Sequence, residues 1–175
     1  MLGSNSAVSA RVAGCTPRPR PCVLCVDDDS DVSLSIALRL NSYDVDVLRA
    51  QHGMQGKWLA EVARPDVIVT DLRMPLGDGE YLVECLKRNA DTVDIPVIVL
   101  TGRRDPGLHA RLSRWGAIRL LTKPVSFADL ERELAQFITL RRITSEDDTN
   151  GEQDPEVMER ADAVALSTVR VRSVH

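Results

Sequence analysis

The chain has 175 residues, of which 43% are hydrophobic and 27% charged, a composition typical of a soluble globular protein. Its formal net charge of −4 argues against a general nucleic-acid binder. No apolar stretch approaches the roughly 20 residues that span a bilayer, and the N-terminus lacks the basic-then-apolar pattern of a signal peptide. We therefore expect one cytoplasmic domain with room for tails and no membrane partner.

Residues 1–20 are rich in Ser, Ala, Arg and Pro, so they have little to bury and we expect them to be disordered. After them, five short apolar runs rich in β-branched residues predict strands. The third and fourth runs are nearly continuous Val and Ile, which is typical of parallel strands buried on both faces. The runs are CVLCV (22–26), DVDVL (44–48), DVIVT (66–70), PVIVL (96–100) and AIRLL (117–121).

The first run contains a C-x-x-C pair, Cys22 and Cys25, a spacing that can indicate metal or redox chemistry. Residues three apart on a strand point to opposite faces, so these two thiols cannot share one ion. No second pair exists in the sequence to complete a zinc site. We therefore interpret both cysteines as small buried hydrophobes.

Each apolar run is followed by a segment long enough for one helix. The first of these segments alternates like a strand, but Asp29 and Ser30 supply a helix-start signal and a parallel sheet needs a crossover there. Five strand–helix repeats predict a doubly wound α/β domain over residues 21–142. The predicted helices cover 31–41, 54–63, 79–89, 105–115 and 126–141, the last with Leu130, Leu134, Phe137 and Ile138 at helical spacing.

Residues 143–175 begin with an acidic, polar stretch and are too few for a second core. Asp154 and Pro155 could start a short helix with an apolar side. This piece is either a partner-binding helix or an unstructured tail, and we favour the tail. The side would consist of Val157, Ala161, Val164 and Thr168.

Polar residues follow four of the five predicted strands. Asp27 and Asp28 follow the first, Asp71 the third, Thr101 the fourth and Lys123 the fifth. In the strand order 2-1-3-4-5 the second strand is the edge. It ends in LRA, without an aspartate, threonine or lysine like those that follow the other four strands. Ligands of open α/β sheets bind beyond the carboxyl ends of the strands, so we expect these polar side chains to converge.

Three carboxylates in one crevice repel each other unless a cation lies among them. Mg²⁺ suits Asp27, Asp28 and Asp71 because it takes hard oxygen ligands, including carboxylates and phosphate oxygens. An aspartate beside Mg²⁺ can attack phosphorus and form an aspartyl phosphate. A lysine and a hydroxyl, here Lys123 and Thr101, can hold the remaining phosphoryl oxygens.

The segments VLCVDDDSD, PDVIVTDLRMPLGDG, PVIVLTG and LLTKPV, in this order, resemble the receiver domain of bacterial response regulators. The resemblance covers roughly residues 22–142 and implies a flavodoxin-like sheet of five parallel strands with five helices. It implies that Asp71 is the phosphoacceptor and that Asp27 and Asp28 help to hold Mg²⁺. The backbone carbonyl of Arg73 would be a further metal ligand.

By the same resemblance, Thr101 would bond the phosphoryl group and Lys123 would pair with it. The Lys123-Pro124 peptide would be cis. Gly77 and Gly79 match the family's turn after the phosphorylation loop, where glycine eases a positive φ. The implied function is a switch, not a metabolic enzyme: a histidine kinase or phosphotransfer protein phosphorylates Asp71, protein contacts with an unidentified output partner change, and self-catalysed hydrolysis resets the chain.

The sequence also departs from the family pattern. Receivers often carry Tyr or Phe three residues before the lysine, where this chain has Leu120, so the usual two-part switch is in doubt. Arg73 and Arg103 flank the site; they either shield the acyl phosphate and attract anionic donors or are solvated. Asp29 and Asp31 fit a helix cap better than a metal site.

Other segments allow competing interpretations. The basic run 103–119 lies on a face where receivers commonly meet a partner or second receiver, so it could support a homodimer, but a solvated helix face is favoured. Trp58 and Trp115 are expected to be packing residues. The amphipathic piece of the tail could bind a partner groove.

Two other functions compete with the switch. A phosphohydrolase of the haloacid dehalogenase type needs a second acid two residues after its nucleophile, and Arg73 occupies that place, so this alternative is weak. The chain could also be the receiver part of a larger transcription regulator. Nothing after Arg142 is long or basic enough for a helix-turn-helix domain. We therefore prefer a regulator acting through protein contacts, although the receiver part of a longer chain would carry the same residues.

Overall fold

The structure, a computed structural model, describes residues 20–74, 78–102, 106–114 and 118–143. The two predicted terminal segments therefore lie almost wholly outside the described residues. Within these ranges strands and helices alternate, and none of the helices is long and apolar enough to cross a bilayer. The elements are β1 (Cys22–Val26), α1 (Ser30–Leu40), β2 (Asp46–Ala50), α2 (Gly53–Ala63), β3 (Val67–Asp71), α3 (Gly79–Arg88), β4 (Val97–Thr101), α4 (Pro106–Ser113), β5 (Ile118–Thr122) and α5 (Phe127–Leu134).

The five strands form one parallel sheet in the order β2-β1-β3-β4-β5, which confirms the predicted fold class. The register aligns the strand ends, since Val26 of β1 lies opposite Ala50 of β2 and Thr70 of β3. Asp71, the last residue of β3, lies opposite Leu100 of β4. The carboxyl ends of the strands therefore form one continuous edge.

Two hydrophobic cores cover the two faces of the sheet, and β1 contributes to both. Cys22 packs in the core under α2 and α3, whereas Cys25 packs in the core under α1 and α5. Burial raises the pKa of the Cys25 thiol to about 12, so it stays protonated and unreactive at neutral pH. The prediction that these two cysteines face opposite ways and act as hydrophobes is confirmed.

The first crossover is a helix, as predicted, and its start explains two of the clustered acids. Asp29 is the N-cap of α1, and its Oδ1 accepts hydrogen bonds from the backbone N–H groups of Asp31 at 2.9 Å and Val32 at 3.4 Å. Asp31 lies in the first turn, where a negative charge is favourable. The prediction of a structural role for both residues is confirmed.

β2 and α5 depart most from their predicted ranges of 44–48 and 126–141. β2 begins at Asp46, whose N–H donates to the Pro21 carbonyl at 2.8 Å, while the N–H of Asp44 donates to the Arg141 carbonyl. α5 ends at Leu134, seven residues before the predicted end. Ile138 nevertheless remains buried, in a turn where its N–H donates to the Leu134 carbonyl at 3.0 Å.

The prediction that Trp58 is a packing residue is wrong. The buried residues of α2 are Gly53, Gly56, Leu59 and Ala60, and Trp58 lies outside this set with 44% of its surface exposed. At Gly56, on the buried side of α2, even a Cβ would lie 2.9 Å from the Val26 methyl groups, so this side of the helix packs closely against the sheet. Trp115 lies outside the described residues.

Candidate functional site

Three carboxylates meet at the carboxyl edge of the sheet. Asp27 and Asp28 follow β1, and Asp71 ends the neighbouring strand β3. One carboxylate oxygen from each residue lies within 4.8 Å of the other two, an arrangement that could hold a metal ion. Asp27 is only 4% exposed, whereas Asp28 faces solvent. The cluster therefore has a buried floor and an open side.

Lys123 joins the cluster from the loop after β5. Its Nζ lies 2.9 Å from Oδ1 of Asp71 and 3.3 Å from Oδ2 of Asp27. Its backbone N–H donates to the Thr101 carbonyl at 2.7 Å, which ties the end of β5 to the end of β4. The Lys123-Pro124 peptide is cis, which confirms that prediction.

Burial and neighbouring charges shift the pKa values of Asp27 and Lys123. Burial raises the pKa of Asp27, an effect that the backbone N–H of Asp29 and the ammonium of Lys123 offset in part and that the charge of Asp71 strengthens. Burial lowers the pKa of Lys123, but the hydrogen bond to Asp71 and the charges of both aspartates together outweigh it and raise the pKa. Lys123 therefore remains an ammonium and bridges two carboxylates, and the crevice is still short of positive charge.

The loop after β3 is held tightly around Asp71. Oδ2 of Asp71 accepts a hydrogen bond from the backbone N–H of Arg73 at 3.1 Å, and the Gly79 N–H donates to the Leu72 carbonyl at 2.9 Å. A Cβ on Gly79 would lie 2.3 Å from the backbone oxygen of Asp71. The expected reason for glycine here is wrong: Gly79 does not have a positive φ but permits a close approach of two backbones. Gly77 lies outside the described residues.

Thr101, Arg73 and Leu120 are the remaining predicted residues that the structure describes. Thr101 is buried at the end of β4, the strand next to Asp71. The side chain of Arg73 is exposed, which leaves both interpretations of it open, and Arg103 lies outside the described residues. Leu120 is partly buried and packs against the core under α2 and α3. The roles of these residues in phosphorylation remain predictions.

Arg49 is a residue near the site that the sequence analysis missed. It lies in the edge strand β2, and its guanidinium donates to Oγ of Ser33 at 2.8 and 3.1 Å and to the carbonyl of Ser30 at 2.7 Å. These contacts anchor the first turn of α1, directly after the acidic loop. The arginine was visible in the motif LRA, but its partners are 16 and 19 residues away in sequence, and no local pattern joins them.

Comparison with known proteins agrees with the geometry. The family model described as the response regulator receiver domain matches residues 23–135. The chain is 36% identical over 124 residues to the DNA-binding dual master transcriptional regulator RpaA of Synechocystis sp.. It is 39% identical over 132 residues to the transcriptional regulatory protein PrrA of Mycobacterium tuberculosis. Each match covers 71% of this chain, which spans about half the length of these relatives, 50% and 53% respectively.

Solved structures show the same fold. The Vibrio cholerae chemotaxis protein CheY4 aligns with a TM-score of 0.64 and 26% identity, over 68% of this chain and 99% of that one. The receiver domain of the sensor histidine kinase PA1611 from Pseudomonas aeruginosa aligns with a TM-score of 0.59 and 26% identity, over 67% and 97% of the two chains. That domain was solved with a magnesium ion coordinated in its active site cleft.

Fold, site and comparisons define a signalling switch of two-component systems, a class that is generally distinct from the classical enzymes. The chain belongs to the response regulator receiver domain family, as its sequence predicted.

Proposed function

We propose that this chain is a phosphorylation-dependent switch of the cytoplasm, in which Asp71 accepts a phosphoryl group from a histidine kinase or a phosphotransfer protein. The observation that carries the proposal is the convergence of Asp27, Asp28 and Asp71 on the ammonium of Lys123 at the carboxyl edge of the sheet. A receiver that spans residues 21–142 would contain every one of these groups.

The transfer needs a nucleophile and groups that stabilise the phosphoryl oxygens. A carboxylate oxygen of Asp71 forms the new O–P bond, while the P–N bond of the phosphohistidine breaks and its electron pair stays on the imidazole. Lys123, 2.9 Å from Asp71, is placed to pair with the negative phosphoryl oxygens. Thr101 would donate its hydroxyl to another of these oxygens.

The donor set fits Mg²⁺, because it consists of hard oxygen ligands with one open side toward solvent. Asp27, Asp28 and Asp71 would hold the ion, with the backbone carbonyl of Arg73 as a further ligand. When bound, Mg²⁺ supplies positive charge that offsets the charge of the carboxylates and phosphoryl oxygens. The raised pKa of Asp27 and the bridging position of Lys123 both support a site in which one ammonium only partly offsets the charge of the carboxylates.

Phosphorylation would change the contacts at this edge of the sheet. The phosphoryl group adds negative charge beside Lys123, whose backbone is bonded to Thr101. The end of β4 and the start of α4 would then shift between two states and alter contacts with an output protein or with a second receiver at the α4–β5 face. Hydrolysis of the acyl phosphate, assisted by the chain's own residues, would reset the switch.

The decisive experiment is incubation of the full chain with a small phosphodonor, with and without Mg²⁺, followed by intact mass measurement. We expect the wild type to gain one phosphoryl group only with Mg²⁺, and Asp71→Asn to gain none. Asp29→Asn is the matched control, because asparagine also caps helices and this acid is not in the metal cluster. A gain that survives Asp71→Asn, or loss of the gain in Asp29→Asn, would contradict the assignment.

A second candidate follows from the length of the relatives. RpaA and PrrA are named as transcriptional regulators, and this chain spans about half of each. The chain would then be the receiver part of a DNA-binding regulator. Duplex DNA distinguishes the two when the whole protein that contains this receiver is titrated: a DNA-binding regulator binds it in a salt-sensitive way, whereas a switch that acts through protein contacts does not.

A further inference from the structure

The loop that carries Asp27 and Asp28 is held at both ends by β2, the edge strand that supplies none of the three clustered carboxylates. At the start of the loop, the backbone N–H of Asp27 donates to the Ala50 carbonyl at 3.1 Å. At its end, Nη2 of Arg49 donates to the Ser30 carbonyl at 2.7 Å. Two consecutive residues of β2 therefore fix the two ends of the loop that provides two of the three carboxylates.

Arg49 also anchors the first turn of α1. Its Nη2 and Nε donate to Oγ of Ser33 at 2.8 and 3.1 Å, and this hydroxyl in turn donates to the Ser30 carbonyl at 3.2 Å. Ser33 is 1% exposed. The other buried residues of α1, Ala37 and Leu40, lie about one and two turns further along the helix. The fully buried apolar side chains therefore hold the second half of α1, whereas Arg49 holds the turn beside the loop.

Of the two acids in the loop, Asp28 depends more on this anchoring. Asp27 is buried, and its Oδ1 accepts a hydrogen bond from the Asp29 N–H at 2.9 Å. Asp28 is exposed, and within the described part of the chain its carboxylate accepts no hydrogen bond. The place of Asp28 in the cluster is therefore set by the loop backbone, whose far end Arg49 holds.

Residues that orient the ligands of a metal contribute to its affinity without touching the ion. Among the residues that the structure describes, the Arg49 guanidinium donates hydrogen bonds to Ser30 and Ser33 and not to a clustered carboxylate. We propose that Arg49 is a positioning residue that raises the Mg²⁺ affinity of the site by fixing the loop of Asp27 and Asp28. The inference rests on the proposed Mg²⁺ site and extends it to the edge strand.

The geometry of these contacts requires an arginine. Nη2 reaches the Ser30 carbonyl and the Ser33 hydroxyl together, while Nε reaches the same hydroxyl. The planar guanidinium fixes these donors relative to one another, whereas a lysine ammonium is a compact charge on a flexible stem. Arg49→Lys should therefore hold the turn less firmly and keep only part of the Mg²⁺ affinity.

The test is the melting temperature of the full chain as a function of Mg²⁺ concentration, at constant ionic strength. An ion that binds the folded state raises the melting temperature according to its affinity. We expect Arg49→Met to need about tenfold more Mg²⁺ than the wild type for the same rise, because residues that orient metal ligands typically contribute this much to affinity. Arg49→Lys should fall between the two.

Arg119→Met is the matched control. Arg119 lies in β5, the opposite edge strand, and its guanidinium donates to Oε1 of Gln136 at 3.2 and 3.4 Å. The variant loses the same side chain and a contact that does not involve the acidic loop, so its Mg²⁺ dependence should match that of the wild type. An equal loss of affinity in Arg119→Met, or an unchanged Mg²⁺ dependence in Arg49→Met, overturns the proposal.

Ser33→Ala removes the shared hydroxyl and keeps the arginine, so it should weaken Mg²⁺ binding in the same direction. In the double variant Arg49→Met/Ser33→Ala, the fold-change should be smaller than the product of the two single fold-changes, since both substitutions break the same contact. Independent effects of the two substitutions would contradict the proposal. Arg49→Lys and Ser33→Ala change fewer contacts, and they decide the question if Arg49→Met does not fold.

Phosphorylation by a small phosphodonor separates positioning of the loop from general damage to the site. Arg49→Met should be phosphorylated more slowly than the wild type at low Mg²⁺ and at the wild-type rate at saturating Mg²⁺. A rate that stays low at saturating Mg²⁺ overturns the proposal.

The role of Arg49 and the role of Asp71 can fail separately. If Asp71→Asn still gains a phosphoryl group while Arg49→Met weakens Mg²⁺ binding, the proposed phosphoacceptor is wrong and the role of Arg49 stands. If Asp71→Asn gains none and Arg49→Met binds Mg²⁺ as the wild type does, the proposed function stands and the role of Arg49 is overturned.

Discussion

The two edges of the sheet use charged side chains in different ways. At the amino edge, Oδ2 of Asp66 accepts a hydrogen bond from the Cys22 N–H at 2.8 Å, and Nζ of Lys87 donates to the carbonyls of Val93 and Ile95 at 2.7 Å each. These side chains hydrogen-bond backbone groups at the start of β1 and just before β4. At the carboxyl edge, three carboxylates share the ammonium of Lys123. Charge at the amino edge stabilises the fold, while charge at the carboxyl edge prepares a site.

Two partly buried lysines, one at each edge, show this contrast because their pKa values shift in opposite directions. Burial lowers the pKa of Lys87, whose hydrogen-bond partners are neutral carbonyls, and the charge of Asp94 opposes this effect in part. Lys123 is also buried in part, yet its pKa is raised because carboxylates surround it. The same side chain therefore acts as a structural clamp at one edge and as the counter-ion of a reactive cluster at the other.

The largest expected effect comes from closing the space around Asp71. Gly79→Ala puts a Cβ where the Asp71 carbonyl oxygen lies 2.3 Å away, and backbone must move to relieve this contact. We expect a loss of about 3 kcal/mol in the free energy of unfolding, together with loss of phosphorylation. Urea unfolding and intact mass measure the two effects. Gly102→Ala is the control, because a Cβ there meets nothing within 4 Å; equal losses in both variants would refute the steric argument.

At the amino edge, Lys87→Met should destabilise the protein by about 2 kcal/mol, because the Val93 and Ile95 carbonyls lose their charged donor. Methionine keeps most of the apolar stem, so the change tests the hydrogen bonds and not the packing. Urea unfolding at neutral pH is the measurement. Phosphorylation should be unchanged, and a more stable Lys87→Met would show that the cost of burying this ammonium exceeds the worth of its two bonds.

At the carboxyl edge, the corresponding removal of a charge should stabilise the fold. Without divalent ions, Asp27→Asn should raise the free energy of unfolding at neutral pH by about 1 kcal/mol, the size typical of relieving a buried charge conflict. The pKa of Asp27 is raised in the folded state, so the folded protein binds the extra proton more readily than the unfolded chain. The gain should therefore be absent below the ordinary pKa of 3.8 and develop as the pH rises through the folded value.

Thermal unfolding across this pH range tests that sign, and Mg²⁺ provides the control. Excess Mg²⁺ should raise the melting temperature of the wild type, because an ion that binds only the folded state stabilises it. It should have little effect on Asp27→Asn. An Asp27→Asn variant that is less stable than the wild type at neutral pH without metal would contradict the conclusion that the charge of Asp27 destabilises the carboxyl edge.

The sequence alone determined the fold class and the polar residues at the carboxyl edge. Buried parallel strands need nearly continuous β-branched runs, and the side chain that follows each run must lie at the same edge of the sheet. Asp27, Asp28, Asp71 and Lys123 could therefore be expected to converge from their positions after the runs. The start of α1 could also be predicted, because the contacts of an N-cap are confined to the next few residues.

Only the tertiary structure decided features that depend on contacts distant in sequence. α5 ends at Leu134 and the chain then turns back, placing Arg142 opposite Tyr43, beyond the reach of helical periodicity. Gly79 is required by the backbone of Asp71, and Arg49 is anchored by two serines of another element. Trp58 is exposed because smaller residues of α2 already fill the space above the sheet. Hydrophobic pattern identifies which residues avoid water, but only packing decides which of them the fold has room to bury.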